Sequence, residues 1–263
     1  MSVLKRNNVV TKGRGHRSMI FAHGFGCDQN MWRYVAPAFE SDYRTVLFDN
    51  VGAGKSDLSA YSYEKYDTLD GYADDIVEIA QALQLEKPVL VGHSVSAMVG
   101  LLAVLKQPQL FSALIMIGPS PCYINEGEYV GGFTKDQLDE LLDAMQDNHL
   151  GWSATMAPAI IGNQDRPELG EELTASFCHT DPDIALHFAR TTFYGDHRHI
   201  LGPAPVPALI LQCSEDVIAP VDVGKFMHEK MPGSSLVLMK ATGHCPNLSA
   251  PEETIAAIGA FLS

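Results

Sequence analysis

The sequence predicts an α/β protein: a mostly parallel central sheet with helices on both faces and a block of extra helices inserted late in the chain. Three observations predict it. Short apolar or β-branched runs at 18–22, 45–49, 88–92, 113–118, 208–212 and 236–240 alternate with helical patterns. In the helix expected over 69–83, Ile76, Ile79, Ala80 and Leu83 recur at the spacing of one helical face. Between about 123 and 199 the alternation stops, and no buried strand is expected there.

Taken in order, residues 3–12 read as an antiparallel hairpin on the sheet edge, which places the helical insertion after the sixth strand. The segments 95–105 and 252–262 have the apolar density of buried helices. Within the insertion, a helix over 134–148 opens on Thr134 as its N-cap and carries Leu138, Leu141, Leu142 and Met145 on one face. Further helices are expected over 151–159, 168–177 and 182–193. A block at this place in the chain sits over the carboxyl ends of the strands, where α/β sites lie, so it reads as a lid. The expected division is a core of 1–122 and 197–263 and a lid of 123–196. No repeat or low-complexity segment interrupts it.

With 46% hydrophobic and 19% charged residues among 263, there is material for a sizeable core. Eighteen basic residues against 32 acidic ones give a net charge of −14. No Lys/Arg cluster offers the basic stripe that nucleic acid or an anionic membrane surface requires. The opening Met1-Ser2-Val3-Leu4-Lys5-Arg6-Asn7 lacks the apolar centre of a signal peptide, and no apolar run is long enough to span a bilayer. The five cysteines are odd in number, widely spaced and without C-x-x-C, and read as free thiols. A cytoplasmic location is expected, which makes the Asn247-Leu248-Ser249 sequon incidental.

The strongest local signal is Gly92-His93-Ser94-Val95-Ser96 between an apolar strand and an apolar helix. A sharp strand-to-helix turn lifts a serine above the sheet, and small residues at 92 and 96 let strand and helix approach. The fifth position is Ser96 where glycine is usual. A serine hydroxyl needs a neighbouring base, and this architecture orders the chain as Ser, then Asp or Glu, then His. Of ten histidines, His244 stands on a Gly-His turn just after the last expected strand. Glu215 and Asp216, after the preceding strand, both qualify by charge as the acid. The loop His23-Gly24-Phe25-Gly26 follows the first inner strand and supplies one backbone N–H of an oxyanion hole, assigned to Phe25. The residue after the nucleophile, Val95, supplies the other. An oxyanion loop, Ser94, an acid and His244, in this order, point to the α/β-hydrolase fold and a serine hydrolase.

Other motifs carry less. Asp49-Asn50-Val51-Gly52-Ala53-Gly54-Lys55-Ser56 ends like a phosphate-binding loop, but Asp49 occupies the place of its first glycine. His197 and His199 have no carboxylate or cysteine at ligand spacing, so no metal is expected. No dinucleotide fingerprint follows the first strand, and no cofactor is expected.

At this point the sequence resembles a known family. His23-Gly24-Phe25-Gly26-Cys27-Asp28-Gln29, Leu69-Asp70-Gly71-Tyr72, Gly92-His93-Ser94-Val95-Ser96-Ala97-Met98, Ser120-Pro121-Cys122-Tyr123-Ile124-Asn125 and Gly243-His244-Cys245-Pro246 resemble the bacterial stress regulator RsbQ and its plant relatives, the karrikin and strigolactone receptors. Cys213 and Cys245 lean towards the bacterial branch, and Ser96-Ala97-Met98 towards the plant one. The resemblance places the acid directly before the apolar residues that lead to Pro220, at Asp216. It implies a Ser-His-Asp triad below a four-helix, V-shaped lid over a deep apolar pocket, with Phe25, Phe133, Trp152, Phe193 and Ile218 at the lining positions. It also implies slow hydrolysis of a small apolar ester, lactone or butenolide-type ligand, coupled to signalling. The partner of RsbQ is a PAS-domain serine phosphatase. The alternative on the same scaffold is a plain metabolic esterase or a carbon–carbon-bond hydrolase with no signalling role.

Overall fold

In the computed structural model, which describes residues 1–263, the chain opens with one helical turn, α1 (Val3–Arg6), and a short strand, β1 (Val10–Lys12). There follow β2 (Arg17–Ala22), β3 (Tyr43–Leu47), α2 (Leu69–Ala82), β4 (Val89–His93), α3 (Val95–Lys106) and β5 (Ala113–Ile117). Four helices come next: α4 (Lys135–Asp147), α5 (His149–Ile161), α6 (Pro167–Cys178) and α7 (Pro182–Phe193). The chain returns through β6 (Ala208–Gln212), α8 (Val221–Lys230), β7 (Ser234–Leu238), α9 (Pro246–Ser249) and α10 (Pro251–Leu262). The seven strands lie in the order β1-β3-β2-β4-β5-β6-β7, with β1 antiparallel and all other pairs parallel. The α/β-hydrolase fold is present, with its mostly parallel sheet.

The inner strands are buried on both sides, so their side chains divide between two cores with period two. Met19, Phe21, Val89, Val91, Ile115 and Ile117 face one way, with Ile258 of α10 and the inward residues of α4–α7. Ile20, Leu90, Leu114, Met116 and Ile210 face the other, against Ile76 and Ile79 of α2 and Leu101 of α3. Thr134 caps α4 as its sequence predicts: its hydroxyl accepts from Gln137 N at 3.2 Å, and the Gln137 side chain accepts from Thr134 N at 2.8 Å.

Two expectations need correction. No hairpin forms over 3–12. Lys5, Arg6, Asn7 and Asn8 lack strand alternation, Asn8 adopts φ +45°, and α1 docks on α2. Arg6 O and Asn7 O accept from Asp57 N and Asp49 N at 2.8 and 2.9 Å. Only β1 joins the sheet, so the helices α4–α7 follow the fifth of seven strands. The last strand spans Ser234–Leu238 and not 236–240. On the outer edge a strand needs only half-burial, so Ser234 and Ser235 pair with Ala208 and Leu209 despite their polarity.

The anchor of α1 is Asp75 on α2, which is 1% exposed. It accepts from Arg6 Nη2 at 2.7 Å, Lys65 Nζ at 2.5 Å and Tyr66 Oη at 2.9 Å. Burial raises its pKa in spite of those partners. Removing the carboxylate leaves Lys65 and the Tyr66 phenol without their acceptor and Arg6 with Glu78 alone as its carboxylate partner. Asp75→Ala is therefore expected to lower stability by about 2–3 kcal/mol. Lys106→Ala, which breaks the exposed pair with Asp70 and Asp74, is expected to cost less than about 1 kcal/mol. Urea unfolding of the two variants checks the difference.

Candidate active site

Ser94 sits where β4 turns into α3. Its backbone is held at φ +56°, and its N–H donates to Ile117 O at 2.8 Å. The turn is tight enough that a Cβ on Gly92 would lie 2.2 Å from Ser96 O, so glycine is required there. Ser94 Oγ lies 2.7 Å from His244 Nε2, and His244 Nδ1 lies 2.7 Å from Asp216 Oδ2. With Nδ1–H donating to Asp216, Nε2 is left to accept from the Ser94 hydroxyl.

The loop after β6 also separates the two candidate acids. Glu215 is exposed, while Asp216 is buried. Asp216 Oδ1 accepts from Ile218 N at 2.8 Å and Ala219 N at 3.0 Å. Burial opposes its ionisation, but the neighbouring His244 with its hydrogen bond and these backbone donors outweigh it and hold the carboxyl below its ordinary value. The His244 loop is fixed on three sides. Gly243 N donates to Glu215 O, His244 N donates to Ile160 O of α5 at 2.9 Å, and His93 Nε2–H donates to His244 O at 2.8 Å. Gly243 adopts φ +76° and passes so close to α5 that a Cβ would meet Ile161 O at 1.9 Å.

Phe25 and Val95 lie beside Ser94. Val95 opens α3, so its N–H has no partner within the helix, and Phe25 N–H makes no hydrogen bond. Ser96, the departure from glycine, has a structural use. Its hydroxyl donates to His23 O at 2.5 Å and lies 3.5 Å from Asn50 Nδ2. Asn50 N in turn donates to His23 Nε2 at 3.0 Å. The loop carrying Phe25 is thereby tied to the helix carrying Val95.

A cavity of about 30 Å³ adjoins Ser94, lined by Phe25, Tyr123, Ile160, Phe177, Phe193 and Ile218. The expected deep pocket is thus nearly filled, since small-molecule sites usually run to hundreds of Å³. Phe25, Phe193 and Ile218 line it. Phe133 and Trp152 do not. Phe133 is held to the 123–124 segment through its backbone. Trp152 stands behind Phe177, stacked at 5.6 Å and 16°. Phe177 therefore occupies the place expected of Trp152. In sequence it shows only as the end of an apolar helix face through Leu169 and Leu173, which reads as core. Tyr123 was visible only as part of a motif; burial pushes its phenol well above the ordinary value. Cys27 and Cys245 also line the cavity. Burial pushes Cys27 up to about 12 and Cys245 upward too, so both remain thiols and compete poorly as nucleophiles. No three His, Cys, Asp or Glu side chains are grouped so as to hold a metal ion.

Residues 19–257 match the alpha/beta hydrolase family. The chain belongs to that family. It is 38% identical over 254 residues to karrikin insensitive 2 receptor CA of Petunia hybrida, covering 96% of this chain and 94% of the relative. It is likewise 38% identical to strigolactone esterase D14 of Arabidopsis thaliana, with 96% and 94% covered. The structure superposes on a hydrolase from Oleispira antarctica with a TM-score of 0.96 and 42% identity, covering 99% of this chain and 96% of that one. The resemblance to the plant receptors thus extends over nearly the whole chain, and the protein is a hydrolase by family. No helix is long and apolar enough to cross a membrane.

His93 provides a test of the elbow's electrostatics. Burial and the nearby His244 ring push its pKa down from 6.5 to about 3. The unfolded chain takes up this proton near pH 6.5 while the folded protein does not, so stability is lost as pH falls from about 6.5 towards 3. The urea midpoint is expected to decline less steeply between pH 7.5 and 4.5 in His93→Asn than in the wild type. Parallel declines would show that His93 is not a buried neutral base.

Proposed function

We propose that this hydrolase cleaves a small apolar ester, lactone or butenolide-type ligand through an acyl-enzyme on Ser94. The observation that carries the reading is the pair of 2.7 Å contacts joining Ser94, His244 and Asp216 in one buried line. His244 Nε2 takes the Ser94 proton as Oγ attacks the carbonyl carbon, and Asp216 stabilises the imidazolium and holds its tautomer. The carbonyl oxygen gains charge opposite Phe25 N–H and Val95 N–H. His244 then passes the proton to the leaving oxygen, and a water repeats the sequence to release the acid.

The reading extends to slow turnover coupled to signalling. A cavity of about 30 Å³ supports slow chemistry, because rings must move before a ligand fits. Relatives named as receptors support a signalling role. In this view 123–196 acts as a lid whose position reports the ligand to a protein partner, as a PAS-domain serine phosphatase would for RsbQ, within the cytoplasm. The second reading, a plain hydrolase, is favoured by the 42% identity to the Oleispira antarctica hydrolase. Hydrogen exchange separates them: the signalling reading expects ligand to change protection across 123–196, and no change there leaves a plain hydrolase.

A fluorophosphonate is expected to label the native protein and not Ser94→Ala, which should lose roughly 10⁴- to 10⁶-fold in ester hydrolysis. Asp216→Asn is expected to lose about 10⁴-fold in kcat, and Glu215→Gln less than about threefold because Glu215 is exposed. Retained labelling in Ser94→Ala, or the reverse order of the two acid variants, overturns the assignment.

A further inference from the structure

Besides its two thiols, the wall of the cavity at Ser94 carries five polar side chains: His93, Ser94, Tyr123, Thr192 and His244. Four of them have a use. Ser94 and His244 are paired, His93 donates to His244 O, and the Tyr123 phenol adjoins Ser94. The fifth, Thr192 on α7, is 5% exposed, and its hydroxyl has no hydrogen-bond partner. Among the buried side-chain groups left without a partner, only His93 Nδ1 and the Thr192 hydroxyl belong to residues of this cavity. His93 Nδ1 is pressed against Gly24, where a Cβ would lie 2.6 Å from it. That leaves Thr192.

Local structure makes this hydroxyl unusual. The buried residues of α7 are Ala185, Phe188, Ala189, Thr192 and Phe193, so one polar group stands on an otherwise apolar face. A threonine inside a helix commonly places its hydroxyl on the carbonyl four residues back. The other four helical threonines, Thr155, Thr174, Thr191 and Thr254, do so at 2.8–3.1 Å. Thr192 makes no such bond to Phe188 O. Valine has the same branched shape and would leave nothing unpaired. Folded chains seldom carry a buried hydroxyl without a partner, and such local costs gather where a site is used. Phe188 and Phe193, flanking Thr192 on α7, both pack on Phe25 of the oxyanion loop, at 5.6 and 6.1 Å between centroids. A ligand that parts these rings to reach Ser94 enters beside Thr192.

We propose that Thr192 is a specificity-determining residue whose hydroxyl donates to a second oxygen of the substrate, outside the ester group. The substrate class is then a small apolar ester or lactone that carries a further ether, ring or keto oxygen, in preference to one with a purely hydrocarbon body. This rests on Ser94 being the nucleophile. In the free protein the hydroxyl is unpaired, so the bond it makes to a ligand replaces no bond within the fold. A hydrocarbon ester of the same shape leaves the hydroxyl buried and unpaired, and a site of that kind discriminates against the ligand lacking the oxygen.

The test uses the intact protein and three esters of one length: butyl butyrate, butyl methoxyacetate and 2-methoxyethyl butyrate. Each methoxy ester replaces one methylene by oxygen, in the acyl or in the alcohol half. Comparing variant with wild type on each ester cancels their different intrinsic reactivity. Thr192→Val is expected to lower kcat/KM at least about fivefold on one of the two methoxy esters, while changing butyl butyrate less than about twofold. Thr192→Ser, which keeps the hydroxyl, is expected to keep the wild-type preference. The urea midpoint of Thr192→Val is expected to be unchanged or raised, since no bond within the fold is lost. Equal change on all three esters, change on none, or a lowered midpoint, with Ser94 still labelled by a fluorophosphonate, overturns the role of Thr192 and leaves the nucleophile standing. A wild type that is labelled yet turns over none of the three overturns it too. Absence of Ser94 labelling in the wild type overturns the nucleophile, and the role of Thr192 with it.

Discussion

The site depends on a single backbone constraint: Ser94 is held at φ +56°, in the region that residues with a Cβ avoid. Such a conformation costs about 1–3 kcal/mol and persists only where its surroundings over-determine it. Here they do. Ser94 N is fixed to Ile117 O on the neighbouring strand, and Ala97 N turns back to Ser94 O to begin α3. Gly92 admits the helix backbone to within contact of the strand. The strain sets the start of α3 under the nucleophile, where Val95 N–H has no partner within the helix.

Side-chain hydrogen bonds of the elbow also hold the neighbouring loops. His93, immediately before the nucleophile, donates to the carbonyl of His244, immediately opposite. Ser96, two residues after it, holds the carbonyl of His23 in the oxyanion loop. Two loops from two strand ends are thus bound to one elbow. His244 is also bound outward, through its own N–H to Ile160 at the end of α5. The helices over the site and the chemistry beneath them share a backbone contact.

Much of this was legible in sequence, for physical reasons that differ by element. Buried parallel strands must be nearly all apolar, so 88–92 and 208–212 stand out, and the small-x-Ser-x-small turn between strand and helix leaves little else it could be. The resemblance selected Asp216 over Glu215; burial of one and exposure of the other supply the reason, which no spacing rule contains. The edge elements were misread because edges tolerate polar residues: Ser234 and Ser235 pair in β7, and Lys5 and Arg6 form a helical turn anchored by Asp75. The pocket lining was the least legible part. Trp152 and Phe177 both sit on apolar helix faces, and nothing in either pattern tells that the ring of Phe177 reaches the cavity while Trp152 stacks behind it.

That packing has a thermodynamic consequence. Phe25 makes edge contacts with Trp152, Phe177 and Phe193 at 5.8–6.3 Å between centroids. A ligand reaching Ser94 must exchange some of these contacts for its own. Aromatic pairs contribute about 0.5–1.5 kcal/mol each beyond the area they bury, so parting two of them costs about 1–3 kcal/mol before any ligand contact is made. Apparent affinity falls by the fraction of molecules already open, roughly tenfold for each 1.4 kcal/mol. A ligand that restores the lost ring contacts recovers that factor; one that is apolar but too small to span the rings does not. Selection between ligands at this site is consequently made by the closure of the ring cluster as well as by the triad, which treats any reachable carbonyl alike.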